Sequence, residues 1–252
     1  MKFRPGSVFA IAAILAFGRL SYGQSVPLAG EHLKPPFIVI GFVGGFIRHD
    51  NTVHSEVQLA ARLRKAFPVG VDVETFESYR GEKARKRIMA LLDADQNGIL
   101  TPAEKQTARI IIYGHSWGGS EAITLARELG NDLIPVLLTV QVDSIPKIHQ
   151  NDEVISANVA RAANFYQSKG LMRGQPRIRA ADPARTQIIG NFQSDYTSSA
   201  YDCKGYPWYD RVFVKSHTQI ECDPRVWDHA EALIRSELPP GKPGASMLKA
   251  GP

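Results

Sequence analysis

The chain has 252 residues, 44% hydrophobic and 22% charged, enough for one globular domain with a sizeable core. The formal charge of +5 overstates its basic character, because Lys2, Arg4 and Arg19 lie in the first 23 residues without an acid among them. Removing those three from 30 leaves 27 basic against 25 acidic residues, too even for nucleic-acid binding, and no basic-aromatic motif points that way.

Residues 1–23 read as a secretory signal. Lys2 and Arg4 supply the charged start, 8–17 the apolar stretch, and Ser21-Tyr22-Gly23 the small residues before a cleavage that makes Gln24 the new N-terminus. The apolar stretch is shorter than the roughly 20 residues a spanning helix needs, so no stable membrane span is expected after cleavage. An uncleaved anchor is the alternative. Either way the folded part is expected outside the cytoplasm, secreted or periplasmic, where Cys203 and Cys222, the only two cysteines, are expected to pair.

After a lead-in over 24–36, Phe37 to Ile40 reads as a buried strand that breaks at the glycine loop Gly41-Phe42-Val43-Gly44-Gly45. Arg48, His49 and Asp50 follow as polar loop residues that could line a pocket mouth. Ser55 to Gln58 opens a helix that runs to about Phe67, with Ser55 as its candidate cap and Gln58 at the capping-box position. Val69 to Phe76 alternates as a strand. Gly81 to Leu92 is a helix with Ala84, Ile88, Leu91 and Leu92 on one face.

The next twelve residues, Asp93 to Glu104, match the EF-hand calcium loop at each diagnostic position. Asp93, Asp95 and Asn97 offer side-chain oxygens, Gly98 permits the bend, Ile99 offers its carbonyl, Thr101 stands where a water often intervenes, and Glu104 can bind through both oxygens. Hard oxygen ligands select Ca2+, in a structural role. Only Pro102 to about Thr107 can follow as helix. A solvated Asp/Asn/Gly turn is the alternative.

Ala108 to Tyr113 is then a strand of branched apolar residues, followed by Gly114-His115-Ser116-Trp117-Gly118-Gly119 and a helix from Ser120 to Leu129. Strand, G-x-S-x-G and helix make a nucleophile elbow, whose sharp turn pushes the Ser116 hydroxyl out at the carboxyl end of the strand, with a helix N-terminus behind it that favours negative charge. Leu133 to Val142 reads as the next buried strand and ends in Asp143, an acid placed to orient a histidine. Asp195 and Asp202, one strand later, are the rival acids. Residues 145–185 leave room for a small cap, with one helix expected over 156–167. Thr186 to Phe192 is a strand, and Tyr206, Trp208 and Tyr209 lie in a loop that either walls a pocket or packs beneath it. Arg211 to Val214 reads as a last strand ahead of His217, and Pro224 to Glu237 as the last helix. A Pro/Gly/Lys-rich tail, 238–252, is expected to be flexible.

Over residues 37–237 the chain resembles the α/β-hydrolases of lipase and esterase type. The resemblance rests on the elbow, the strand order around it, and the chain order Ser116, Asp143, His217. It implies a mostly parallel central sheet flanked by helices, with Ser116 as nucleophile, His217 as base and Asp143 as its partner. It also implies an oxyanion hole from the amide of Trp117 and one of Phe42 or Val43. The histidine-glycine opening common in the family is missing from that loop, so the second donor stays open. The implied substrate is a small-molecule or lipid ester, with no organic cofactor. Acyl transfer, peptide cleavage, or an inactive calcium-binding envelope protein on the same fold are the other readings. The oligomeric state is not legible in the sequence.

Overall fold

The computed structural model describes residues 36–196, 201 and 203–240. The expected signal, the lead-in as far as residue 35, Asp202 and residues 241–252 of the expected tail lie outside the described residues.

The sheet grows outward from its first strand. β1 (Phe37–Val43) pairs in parallel with β2 (Val71–Glu77) on one side and with β3 (Ile110–His115) on the other. β4 (Val136–Val142), β6 (Val159–Gln167) and β8 (Gln187–Ser194) add in turn beyond β3. The order is β2-β1-β3-β4-β6-β8, all parallel, and it reverses direction between β1 and β3. Open α/β sheets form their sites beyond the carboxyl ends of the strands at such a reversal.

Both faces are covered, which is why β1 and β3 are apolar at successive positions rather than at alternate ones. Ile38, Ile40, Ile110 and Ile112 pack with Ile88 of α2 (Gly81–Leu92) and Ile123 of α4 (Trp117–Asn131). Val39, Ile111 and Leu138 turn the other way, onto Leu59 and Leu63 of α1 (Ser55–Ala66) and Trp227 and Ile234 of α7 (Pro224–Glu237). Ordinarily a helix fills the crossover between parallel strands. Between β4 and β6 the chain instead runs through β5 (Val154–Ile155), which pairs in parallel with β7 (Arg179–Ala180) from the connection between β6 and β8. Ile155 and Ile178 are buried in the same cluster as Val159 and Ala162 of β6.

Three local expectations are corrected. Residues 156–167 are not a helix: β6 occupies most of them, held between β4 and β8. Its alanines favour helix in isolation, but Ala162 and Ala163 are fully buried in the middle of the sheet, where tertiary pairing overrides propensity. Arg211 to Val214 is not a strand either. The chain forms α5 (Trp208–Phe213), bends at Val214, and continues as α6 (Lys215–Cys222), so His217 stands on a helix. Val212, whose branching suggested a strand, is exposed and finds no sheet to join. Finally, α1 is capped at His54 rather than Ser55 and has no side-chain cap bond.

Candidate active site

Ser116 stands where β3 turns into α4, with φ 54° and ψ −125°. This is a strained conformation for a residue with a side chain, costing on the order of 1–3 kcal/mol. The flanking glycines make the turn possible. A Cβ on Gly114 would lie 2.3 Å from the carbonyl oxygen of Gly118, and one on Gly118 would lie 2.3 Å from that of Phe42. The Ser116 amide donates to Val142 at 3.0 Å, tying the elbow to the end of β4.

Asp143 follows Val142 directly, so the nucleophile candidate and the acid candidate leave adjacent strands side by side. The Asp143 carboxylate is fully buried and accepts four hydrogen bonds. Oδ1 takes the amides of Gln167 (3.1 Å) and Gly174 (2.9 Å), and Oδ2 takes the Gln167 side chain (2.9 Å) and Nδ1 of His217 (2.6 Å). With Nδ1 engaged, Nε2 is the nitrogen left to exchange a proton. The His217 ring also lies over the ring of His115, the residue before Ser116, with centroids 4.6 Å apart. Burial and the neighbouring His217 and His54 hold His115 well below the usual histidine range, so it is neutral.

Asp143 is the carboxylate that meets His217; Asp195 lies at the end of β8, and Asp202 is not among the described residues. Sequence reasoning missed Gln167 and Gly174. Gln167 ends β6, a strand read as helix, and Gly174 belongs to a loop with no pattern to place it. Cys203 and Cys222 form a disulfide with Cα atoms 5.9 Å apart, enclosing the segment that carries His217.

The loop behind β1 passes beside the elbow. The carbonyls of Phe42 and Val43 face Gly118, and a Cβ on Gly44 would lie 3.2 Å from the Cβ of Ser116. Trp117 opens α4, so its amide is among those that no helix carbonyl reaches. Phe46 is exposed and meets the Trp117 ring edge-on at 5.3 Å. The polar residues further along this loop engage each other or β2: Arg48 pairs with Asp50, and His49 Nδ1 lies 2.7 Å from Glu77. Tyr206 is buried against His54, whereas Trp208 and Tyr209 are exposed and touch each other.

In the segment from Asp93 to Glu104, the carboxylates of Asp93, Asp95 and Glu104 bring oxygens within 4.8 Å of one another. Gly98 takes φ +80° at the bend, and its amide and that of Asn97 donate to Asp93. Thr101 and Glu104 form a capping box on α3 (Pro102–Gln106), and those bonds hold the Glu104 carboxyl below its ordinary range. Leu100 packs against the core and anchors the loop. This all-oxygen donor set suits a hard cation.

No protein-family model and no curated protein matches the chain. Among solved structures it is similar to the RedJ thioesterase of the prodiginine biosynthetic pathway in Streptomyces coelicolor, 12% identical, covering 88% of this chain and 100% of that one, with a TM-score of 0.39. It is also similar to a dienelactone hydrolase-like promiscuous phosphotriesterase from metagenomic libraries, 16% identical, covering 81% and 87%, TM-score 0.37. A third is ClbQ from the colibactin pathway, 10% identical, covering 79% and 98%, TM-score 0.37. Likeness at this level adds no weight of its own; what the strand order and the elbow establish is the mostly parallel, helix-flanked sheet of the α/β-hydrolase fold.

Proposed function

We propose that the protein is a secreted or periplasmic serine hydrolase that cleaves carboxylic esters, with Ser116, His217 and Asp143 as its triad. The observation that carries this reading is the 2.6 Å bond from His217 Nδ1 to a buried carboxylate that leaves the strand next to a strained serine elbow. In the reaction Ser116 Oγ attacks the ester carbonyl while Nε2 of His217 takes its proton. The tetrahedral oxyanion forms in front of the α4 N-terminus, where the Trp117 amide and one from Phe42 or Val43 would receive it. As the C–O bond breaks, His217 returns the proton to the leaving alcohol. Water, activated by the same nitrogen, then releases the acid and restores Ser116. Asp143 keeps the imidazole in the required tautomer and stabilises its charged form. The exposed Phe46 beside Trp117 suits an apolar acyl group.

Asp93, Asp95, Asn97, Ile99, Thr101 and Glu104 would hold Ca2+, which would brace the segment leading into β3 and supply no chemistry to the reaction. Export is supported by the Cys203–Cys222 disulfide, a bond that persists in oxidising compartments. The test is labelling with an active-site-directed fluorophosphonate, followed by a chromogenic ester panel varied in acyl length. Wild type should be labelled and turn over esters, and Ser116→Ala should do neither. A folded wild type that neither reacts nor turns over any ester would sink the proposal.

A further inference from the structure

Behind His115 lies a second polar cluster that the proposed reaction does not use. His54 at the N-cap of α1 and Glu56 in its first turn face Glu221 on α6, and one ligand atom from each lies within 4.8 Å of the others. His54 Nδ1 is 2.5 Å from Glu221 Oε1. Nδ1 of His115 stands 3.5 Å from Glu221 Oε2 and 3.7 Å from Glu56 Oε1. All four residues are buried, Glu56 completely. Neither carboxylate oxygen of Glu56 and neither ring nitrogen of His115 has a hydrogen-bond partner among the described residues.

Two carboxylates enclosed at this depth need a positive counterpart or a proton, because ionised groups stripped of water and left unpaired are strongly unfavourable. Burial pushes the Glu56 carboxyl well above its ordinary range and that of Glu221 up to about 7.

We propose that His54, Glu56 and Glu221, with His115 closing in as a fourth ligand, form a binding site for a divalent first-row transition ion of the zinc type. Two imidazoles and two carboxylates are a donor set that such ions accept, and the two negative charges match the ion's two positive ones. Bonds of about 2.0–2.1 Å in a tetrahedron separate ligand atoms by about 3.3 Å; the donors of His54, Glu56 and Glu221 already lie within 4.8 Å of one another, and Nδ1 of His115 stands 3.5 and 3.7 Å from the two carboxylates. On binding, the hydrogen bond between His54 and Glu221 gives way, and the protons that neutralise the Glu56 and Glu221 carboxyls in the metal-free cluster are released. The backbones of both carboxylate residues are already fixed from behind. The Tyr113 hydroxyl donates to the Glu56 carbonyl at 2.8 Å, and the Trp227 indole to the Glu221 carbonyl at 2.6 Å. The site differs in kind from the Asp93–Glu104 loop, whose donors are all oxygen.

The experiment uses the full exported chain, stripped with a chelator and then loaded with Zn2+ or Co2+ alone. Elemental analysis after gel filtration should find about one zinc per chain in wild type and in Glu104→Ala, whose calcium loop is disabled. The Co2+ form should show the intense visible absorption of a tetrahedral ion. His54→Ala and Glu56→Gln should lose both signals while circular dichroism shows them folded. A folded wild type that retains no zinc, and gives Co2+ only the weak spectrum of the hydrated ion, would show that the cluster shares a proton instead. Zinc retained unchanged in both variants would place the ion elsewhere and overturn the proposal equally. If the variants unfold, the stoichiometry and Co2+ spectrum of wild type decide alone.

Discussion

The amide of Gly174 donates to Oδ1 of Asp143 at 2.9 Å, and a methyl group placed on Gly174 would lie 2.2 Å from that same oxygen. The acid's position therefore depends on a residue with no side chain, 31 positions downstream. Gly174→Ala must displace either the carboxylate or the loop. It should lower kcat/KM for a chromogenic ester by about 10²-fold, the scale of a small misplacement in a catalytic group. Far-UV circular dichroism should stay native. Unchanged kinetics in a folded Gly174→Ala protein would separate Asp143 from the base.

Asp143→Asn should cost up to about 10⁴-fold in kcat, as loss of the orienting carboxylate does in a serine protease. The amide would be buried among donors that had all been satisfied by a carboxylate, so its melting temperature should fall as well. If Asp143→Asn keeps full activity and Asp195→Asn loses it, the acid belongs one strand further along.

Ser116→Gly should abolish turnover and stabilise the fold. Glycine adopts φ 54° without the strain the serine carries, and relief of about 1 kcal/mol raises the melting temperature of a chain this size by about 2–4 °C. Differential scanning calorimetry of the two proteins at one pH measures it. An equal or lower melting temperature in the glycine variant would mean that the elbow is not strained at Ser116.

Replacing Cys203 and Cys222 together by alanine should cost about 3 kcal/mol, the chain-entropy value for a loop of this length. Because the enclosed segment carries His217, activity should fall at temperatures where the global fold persists. Parallel thermal curves for ester turnover and for circular dichroism would reveal that gap, and coincident curves would refute it.

Calcium should raise the melting temperature of wild type, by about 2.7 kcal/mol of stability at a hundredfold excess over Kd. Glu104→Ala should lose that gain yet keep most of its activity in the cold. Chelation that stops turnover in a protein still folded would place the ion nearer the chemistry than proposed.

The elbow was legible because its signal is local: glycines fixed by backbone contacts, between an apolar strand and a helix. Asp143 and His217 were expected from chain order and from their places at strand ends, with Asp195 and Asp202 as rival acids; Asp143 is the one that meets His217, which was expected beyond a strand and stands on α6. The sequence misled where residues carry one propensity and are used for another purpose. The alanines of β6 fill the middle of a sheet, Val212 lies within α5, and Val214 marks the break between two short helices. Gln167, Gly174 and the cluster of His54, Glu56, His115 and Glu221 were invisible for a different reason. Each is defined by partners far along the chain, which no local period encodes.

The bond between Asp143 and His217 spans 74 residues, and His217 lies on the first of the last two helices among the described residues. Ser116 and its elbow can emerge and fold long before a proton acceptor reaches them. On the proposed reading, a nascent or partly unfolded precursor is chemically mute toward the esters of the compartment where it is made. No inhibitory pro-segment is needed for this latency. The reaction switches on when the C-terminal helices dock, so turnover in a refolding experiment should report the completion of the fold rather than its onset.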